Sequence, residues 1–135
     1  MKPVFFPFLL FLSFFSCKKA VEQQKEDVII KIMVSGQWTV SKYMKGDTAV
    51  TAAFTPYRFQ FRENGTVDAL RNNVVEKTGT WVGNAAMLTI YSNFTAAAYP
   101  LTLLNGTFRI TDSGLNYVEA TYTLNGEVRA LRLDK

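Results

Sequence analysis

The chain has 135 residues, 15 Lys and Arg against 11 Asp and Glu, a net charge of +4 and 48% hydrophobic residues. That length holds one domain rather than two, and so mild a charge, with no basic run or RNA-binding motif, excludes nucleic acid as a partner. The absence of histidine and the single cysteine, Cys17, exclude the common zinc sites, Cys-His nucleophiles and Ser-His-Asp triads, so no cofactor is expected.

Met1-Lys2 is a short basic start, and Val4 to Ser16 is almost wholly apolar. A run of about 13 residues is shorter than the roughly 20 that span a bilayer as a helix. Pro7 inside it opposes a long helix. Residues 1–16 therefore read as a secretory signal peptide. Cys17 follows directly. A thiol after an apolar run and the small Ser16 resembles the lipobox of bacterial lipoproteins, with Phe14 where that family usually has Leu. The resemblance implies that Cys17 is lipidated, becomes the first mature residue and anchors the chain in a membrane of the cell envelope. In that family an Asp after the cysteine holds the protein at the inner membrane. Lys18 stands there instead, which points to the outer membrane. The alternative is an ordinary signal peptide cut near Ser16, leaving a free thiol, but an unpaired cysteine in an exported chain needs a reason.

Residues 17–35 read as a tether followed by a helix. Lys18 to Asp27 is polar, while Val21, Val28, Ile29, Ile32 and Met33 recur at helical spacing. The spacing predicts a short amphipathic helix over Val21 to Val34, ending near Gly36. Its polar face is mixed in charge rather than basic, which favours a cap on the following domain over a membrane-surface helix.

Residues 36–135 change to short strand-like runs broken at Lys45-Gly46-Asp47, Glu63-Asn64-Gly65, Asn72-Asn73, Gly83-Asn84, Asn105-Gly106, Ser113-Gly114 and Asn125-Gly126. The spacing predicts an all-β domain, an antiparallel up-and-down barrel of about eight strands. The count rises to ten if Thr48-Phe54 and the two halves of Tyr99-Asp112 stand alone. Asn105-Gly106 reads as a turn or as a bulge in one long strand. The Asn-x-Thr triplets at Asn64, Asn93 and Asn105 read as turn chemistry rather than glycan sites.

Side-chain faces set two registers. A three-residue loop, Glu63 to Gly65, pairs Phe61 with Val67, Phe59 with Ala69 and Tyr57 with Arg71, and puts Gln60 beside Asp68. It predicts Gly65 in the left-handed bulge position. A two-residue Asn125-Gly126 loop pairs Leu133 with Val118, Leu131 with Ala120, Arg129 with Tyr122 and Glu127 with Leu124. On the opposite face it sets Arg132 against Glu119 as a surface ion pair.

Gly36-Gln37-Trp38, directly after the helix and before a β-meander, resembles the Gly-x-Trp signature of lipocalins and of small lipocalin-like domains in bacterial lipoproteins. Gly79-Thr80-Trp81 repeats the phrase. The resemblance implies a barrel whose closed end is plugged by Trp38, with an arginine near the end of the last strand packing across it. Arg132 is the positional candidate, although its register turns it outward. Thr111-Asp112-Ser113 matches only part of the lipocalin Thr-Asp-Tyr element. Without the family, Trp38 is simply core. An immunoglobulin-like sandwich is disfavoured, because the strands follow one another without a long crossover.

Eight strands enclose room for side chains alone or for one small ligand. In the lipocalin arrangement Arg71 and Arg129 lie by the open mouth, facing inward beside Tyr57 and Tyr122. Guanidinium forks and phenols converging on an apolar cavity suit a hydrophobic or anionic amphipathic ligand. By analogy this resembles the interior arginine and tyrosine of fatty-acid-binding barrels. The competing reading has both arginines snorkelling into solvent at the rim. Catalysis is not expected. Glu63 falls in a turn, Asp68 and Glu119 on outward faces, Glu76 lacks an acidic neighbour, and Ser41, Ser92 and Ser113 lack a histidine base. The other function the sequence allows is a protein-interaction module or inhibitor of the envelope with a filled barrel. Its contact loop would be Ser92 to Tyr99 (SNFTAAAY), which alternatively covers the barrel.

Overall fold

A computed structural model describes residues 28–135. The signal segment, Cys17 and the first part of the expected helix lie outside the described residues. Among the described residues no helix is long and apolar enough to cross a membrane.

The helix α1 occupies residues 28–34 and buries Met33. Strands follow at β1 (Thr39–Lys45), β2 (Thr48–Ala49), β3 (Tyr57–Phe61), β4 (Thr66–Arg71), β5 (Val74–Asn84), β6 (Thr89–Asn93), β7 (Gly106–Ser113), β8 (Tyr117–Leu124) and β9 (Glu127–Asp134). They form one antiparallel sheet of nine strands in the order β2-β1-β9-β8-β7-β6-β5-β4-β3. The domain is all-β apart from α1 and two 3₁₀ turns, Thr51–Phe54 and Leu101–Leu104. The sheet curls so that the residue before β1 meets β3 at a single bridge. Trp38, just before β1, donates to the Phe59 carbonyl at 2.9 Å, and the Phe59 N–H donates to the Trp38 carbonyl at 2.8 Å.

Two stretches differ from the sequence expectation. Thr48-Phe54 forms only the two-residue β2 and then a 3₁₀ turn. Tyr99-Asp112 does not form strand throughout: the second 3₁₀ turn covers Leu101–Leu104, and β7 starts at Gly106. Apolar burial decides this, because a 3₁₀ turn points Leu101, Leu103 and Leu104 all into the core. An alternating strand would have turned one of them outward.

Both hairpin registers are as expected. β3 and β4 pair Tyr57 with Arg71, Phe59 with Ala69 and Phe61 with Val67, and Gly65 takes φ +85°. β8 and β9 pair Val118 with Leu133, Ala120 with Leu131 and Tyr122 with Arg129. Asn125 and Gly126 both have positive φ, 50° and 79°, the type I′ turn that suits the twist of a two-residue hairpin. Of the Asn-x-Thr triplets, the one at Asn64 serves its turn and the one at Asn105 ties together the two ends of the β6–β7 connection. The Asn64 side chain accepts from the Thr66 N–H and hydroxyl, and the Asn105 amide oxygen accepts from the Phe94 N–H at 2.6 Å.

The outer face holds one buried charge. Asp68, 3% exposed, accepts from Thr78 at 2.7 Å and pairs with Arg62 at 2.5 Å. Arg62→Met leaves that carboxylate buried without its cation, and Arg62's own half-exposure moderates the loss. The expected destabilisation is about 1–3 kcal/mol, with partial recovery in the Arg62→Met/Asp68→Asn double variant, read from urea midpoints.

Candidate functional site

The end of the sheet expected as an open mouth is covered. The 3₁₀ turn Thr51–Phe54 brings in Phe54, and the long β6–β7 connection brings in Phe94, Leu101, Leu103 and Leu104, all buried. Polar groups fasten this cover. The Tyr43 hydroxyl donates to the Leu103 carbonyl at 2.6 Å, and the Ser92 hydroxyl to the Leu104 carbonyl at 2.5 Å. Burial pushes the Tyr43 phenol above its ordinary pKa, with the nearby Arg129 guanidinium acting against that rise. The interior left beneath is an apolar cavity of about 30 Å³ between Phe59, Phe61, Phe94, Phe108 and Leu133. That is room for a water or two, whereas small-molecule pockets run to about 300–1,000 Å³.

Of the four residues expected at the mouth, two stand together on one flank. Arg71 lies 5.9 Å from the Tyr57 ring centroid, and its Nη1 is 3.6 Å from the Glu76 carboxylate. The Tyr57 hydroxyl donates to the same carboxylate at 2.5 Å. Burial, then the Glu76 carboxylate, raise the Tyr57 pKa. Tyr57, Arg71, Glu76 and Lys77 form one wall of an open groove of about 270 Å³, with Ala96 to Tyr99 opposite. The Arg71 side chain keeps 54% of its surface exposed, so it stands at the rim and not in the interior.

Arg129 and Tyr122 occupy a different place. They pair across β8 and β9 as expected, but neither lines the groove. The Arg129 side chain is 13% exposed and donates to Glu127 at 3.3 Å, and the Tyr122 ring packs 5.3 Å from Phe108. The filled cover keeps the two arginine–tyrosine pairs from converging on one cavity.

At the opposite end Trp38 is fully buried, and its indole N–H donates to the Met33 carbonyl at 2.8 Å, tying α1 to the core. Gly36, between α1 and Trp38, takes φ +83°. The cation beside the indole is not Arg132. Lys135 places its Nζ 4.9 Å from the Trp38 ring, while Arg132 turns outward to Glu119 at 2.9 Å, to Asp134 at 2.9 Å and over the Tyr117 ring. The even-numbered face of β9 is the solvent face, so Arg132 reaches neither the core nor Trp38. Its bonds hold the Asp134 carboxyl below the usual carboxylate range.

Glu76, in the groove wall, and Lys135, beside the Trp38 indole, are the residues of these two places that sequence reasoning missed. Glu76 is the extra residue of a bulge, since Leu70 pairs with Val75 and Ala69 with Lys77. No composition signal marks that bulge. Lys135 follows the last strand directly, a position that a signature written around arginine overlooks.

No family model and no curated protein matches the chain. Among solved structures it is similar to a DUF4847 family protein from Bacteroides vulgatus ATCC 8482, with 16% identity and a TM-score of 0.55 over 78% of this chain and 96% of that chain. At that identity the likeness shows the fold, a curled antiparallel sheet.

Proposed function

We propose that this chain is a lipid-anchored protein of the cell envelope whose lipocalin-like domain works as a protein-interaction module rather than as a carrier. In this reading residues 1–16 are removed, Cys17 carries the lipid in the outer membrane, and the barrel is filled. The observation that supports a module over a carrier is the interior cavity of about 30 Å³, too small for an amphiphile. The rim groove is the contact surface. Tyr99 stands 60% exposed beside Arg71 and Glu76, and aromatic and arginine side chains together are the composition favoured at protein interfaces.

Native mass spectrometry of the chain purified from its own host should give the acylated polypeptide, with a protein partner and no bound amphiphile. A stoichiometric small molecule that disappears in the Arg71→Met/Arg129→Met variant would return the function to ligand binding.

A further inference from the structure

Exposed apolar side chains lie at both ends of the sheet, Val74, Val75 and Val128 by the Asn72-Asn73 and Asn125-Gly126 turns, and a group with longer side chains at the end that carries α1. Leu115, at the tip of the β7–β8 turn, is 73% exposed, and Met87, in the β5–β6 turn, is 67% exposed. Leu88 beside Met87 and Val28 at the start of α1 are also more than half exposed. These positions are neighbours. Ile29 and Ile32 of α1, Leu88 and Gly114 line one gap between the helix and the two turns. Leu88 further accepts from the Ile110 N–H at 2.7 Å, which fixes the β5–β6 turn against β7.

We propose that this end of the domain, through Met87, Leu88, Leu115 and Val28, dips into the lipid surface that holds the anchor. The inference rests on the anchored reading of Cys17. Ten residues, 18 to 27, separate Cys17 from Val28. Even fully extended they reach about 35 Å, so the end that carries Val28 stays close to the bilayer. That segment has three Lys against two Glu and one Asp, so it adds no net charge to draw in anionic lipid. Apolar insertion would then orient the anchored domain on the bilayer, and it works on neutral lipid. The β8–β9 turn at Asn125-Gly126 lies at the other end of the sheet and stays in water.

The test uses the full chain, acylated in cells and reconstituted into phosphatidylcholine vesicles containing doxyl-labelled lipid. With Cys17 blocked by its lipid, Met87→Cys, Leu115→Cys and Asn125→Cys each offer a single thiol for an environment-sensitive fluorophore. The expected result is blue-shifted emission and roughly twofold or more quenching at 87 and 115 relative to 125, unchanged at high salt. Two labelled sites guard against one variant failing to fold. Intact mass reads the anchor independently. Acylated Cys17 with equal quenching at all three sites overturns the docking and leaves the anchor standing. A Cys17 without acyl chains overturns both.

Discussion

Replacing Trp38 by Ala is expected to lower the stability of the domain by about 3–5 kcal/mol, seen as a fall in urea midpoint at unchanged slope. Three losses act together. A fully buried indole leaves a void at the end of the core, the Met33 carbonyl loses its donor, and Lys135 loses the ring beneath its ammonium group. Because the same residue joins the far strands through Phe59, the void opens where the sheet has least support. Trp38→Phe separates the contributions. It retains most of the apolar contact and leaves the carbonyl without its partner, so about 1–3 kcal/mol is expected. Equal midpoints for wild type and Trp38→Ala would show that the indole does not hold this end of the core together.

Phe94→Ala should cost a similar amount, about 3–5 kcal/mol, and should also change what the domain can bind. Phe94 is 1% exposed, meets Phe59 edge-on at 6.2 Å between centroids, and already lines the interior cavity. Gly79 makes room for it. A Cβ at that position would lie 2.8 Å from the Phe94 ring and 2.5 Å from the Asn93 carbonyl oxygen. Removing the ring joins its volume to the cavity of about 30 Å³ and leaves an apolar hollow. Such hollows stay dry and take up small apolar molecules. Benzene should therefore raise the melting temperature of Phe94→Ala and leave the wild type unchanged. A wild type stabilised as strongly as the variant would show that the interior already accepts ligands.

Much of the all-β architecture was legible because strand faces obey a period of two. Tyr57, Phe59 and Phe61 share a face, and that face has only one partner in Val67, Ala69 and Arg71. The Asn125-Gly126 turn fixed the last hairpin in the same way, down to the 2.9 Å contact between Arg132 and Glu119. What could not be read was where the chain leaves the strand pattern. Leu101, Leu103 and Leu104 resemble strand residues until their burial is known, although Pro100 already argues against an interior strand. The groove was half legible. Tyr57 and Arg71 followed from register, whereas Glu76 depends on a bulge, and the Ala96–Tyr99 wall depends on a loop path with no periodicity. Cys17 was legible as a resemblance and lies outside the described residues.

The pairing of β1 with β9 has a consequence for the order of assembly. Each strand from β3 to β9 pairs with its neighbour in sequence, the β6–β7 connection being the longest of these steps, so those contacts are comparatively local. β1 pairs locally only with the two-residue β2, and its other edge must wait, because the Thr39 side chain bonds to the Asp134 carbonyl 95 positions later. Loop closure over that span carries the largest entropy cost in the sheet and rewards the chain only once β9 exists. Among the described strands, the first in sequence is thus the last to be fully paired. That edge of β1 stays open until β9 is made, whereas the Trp38 indole already has its Met33 partner five residues away.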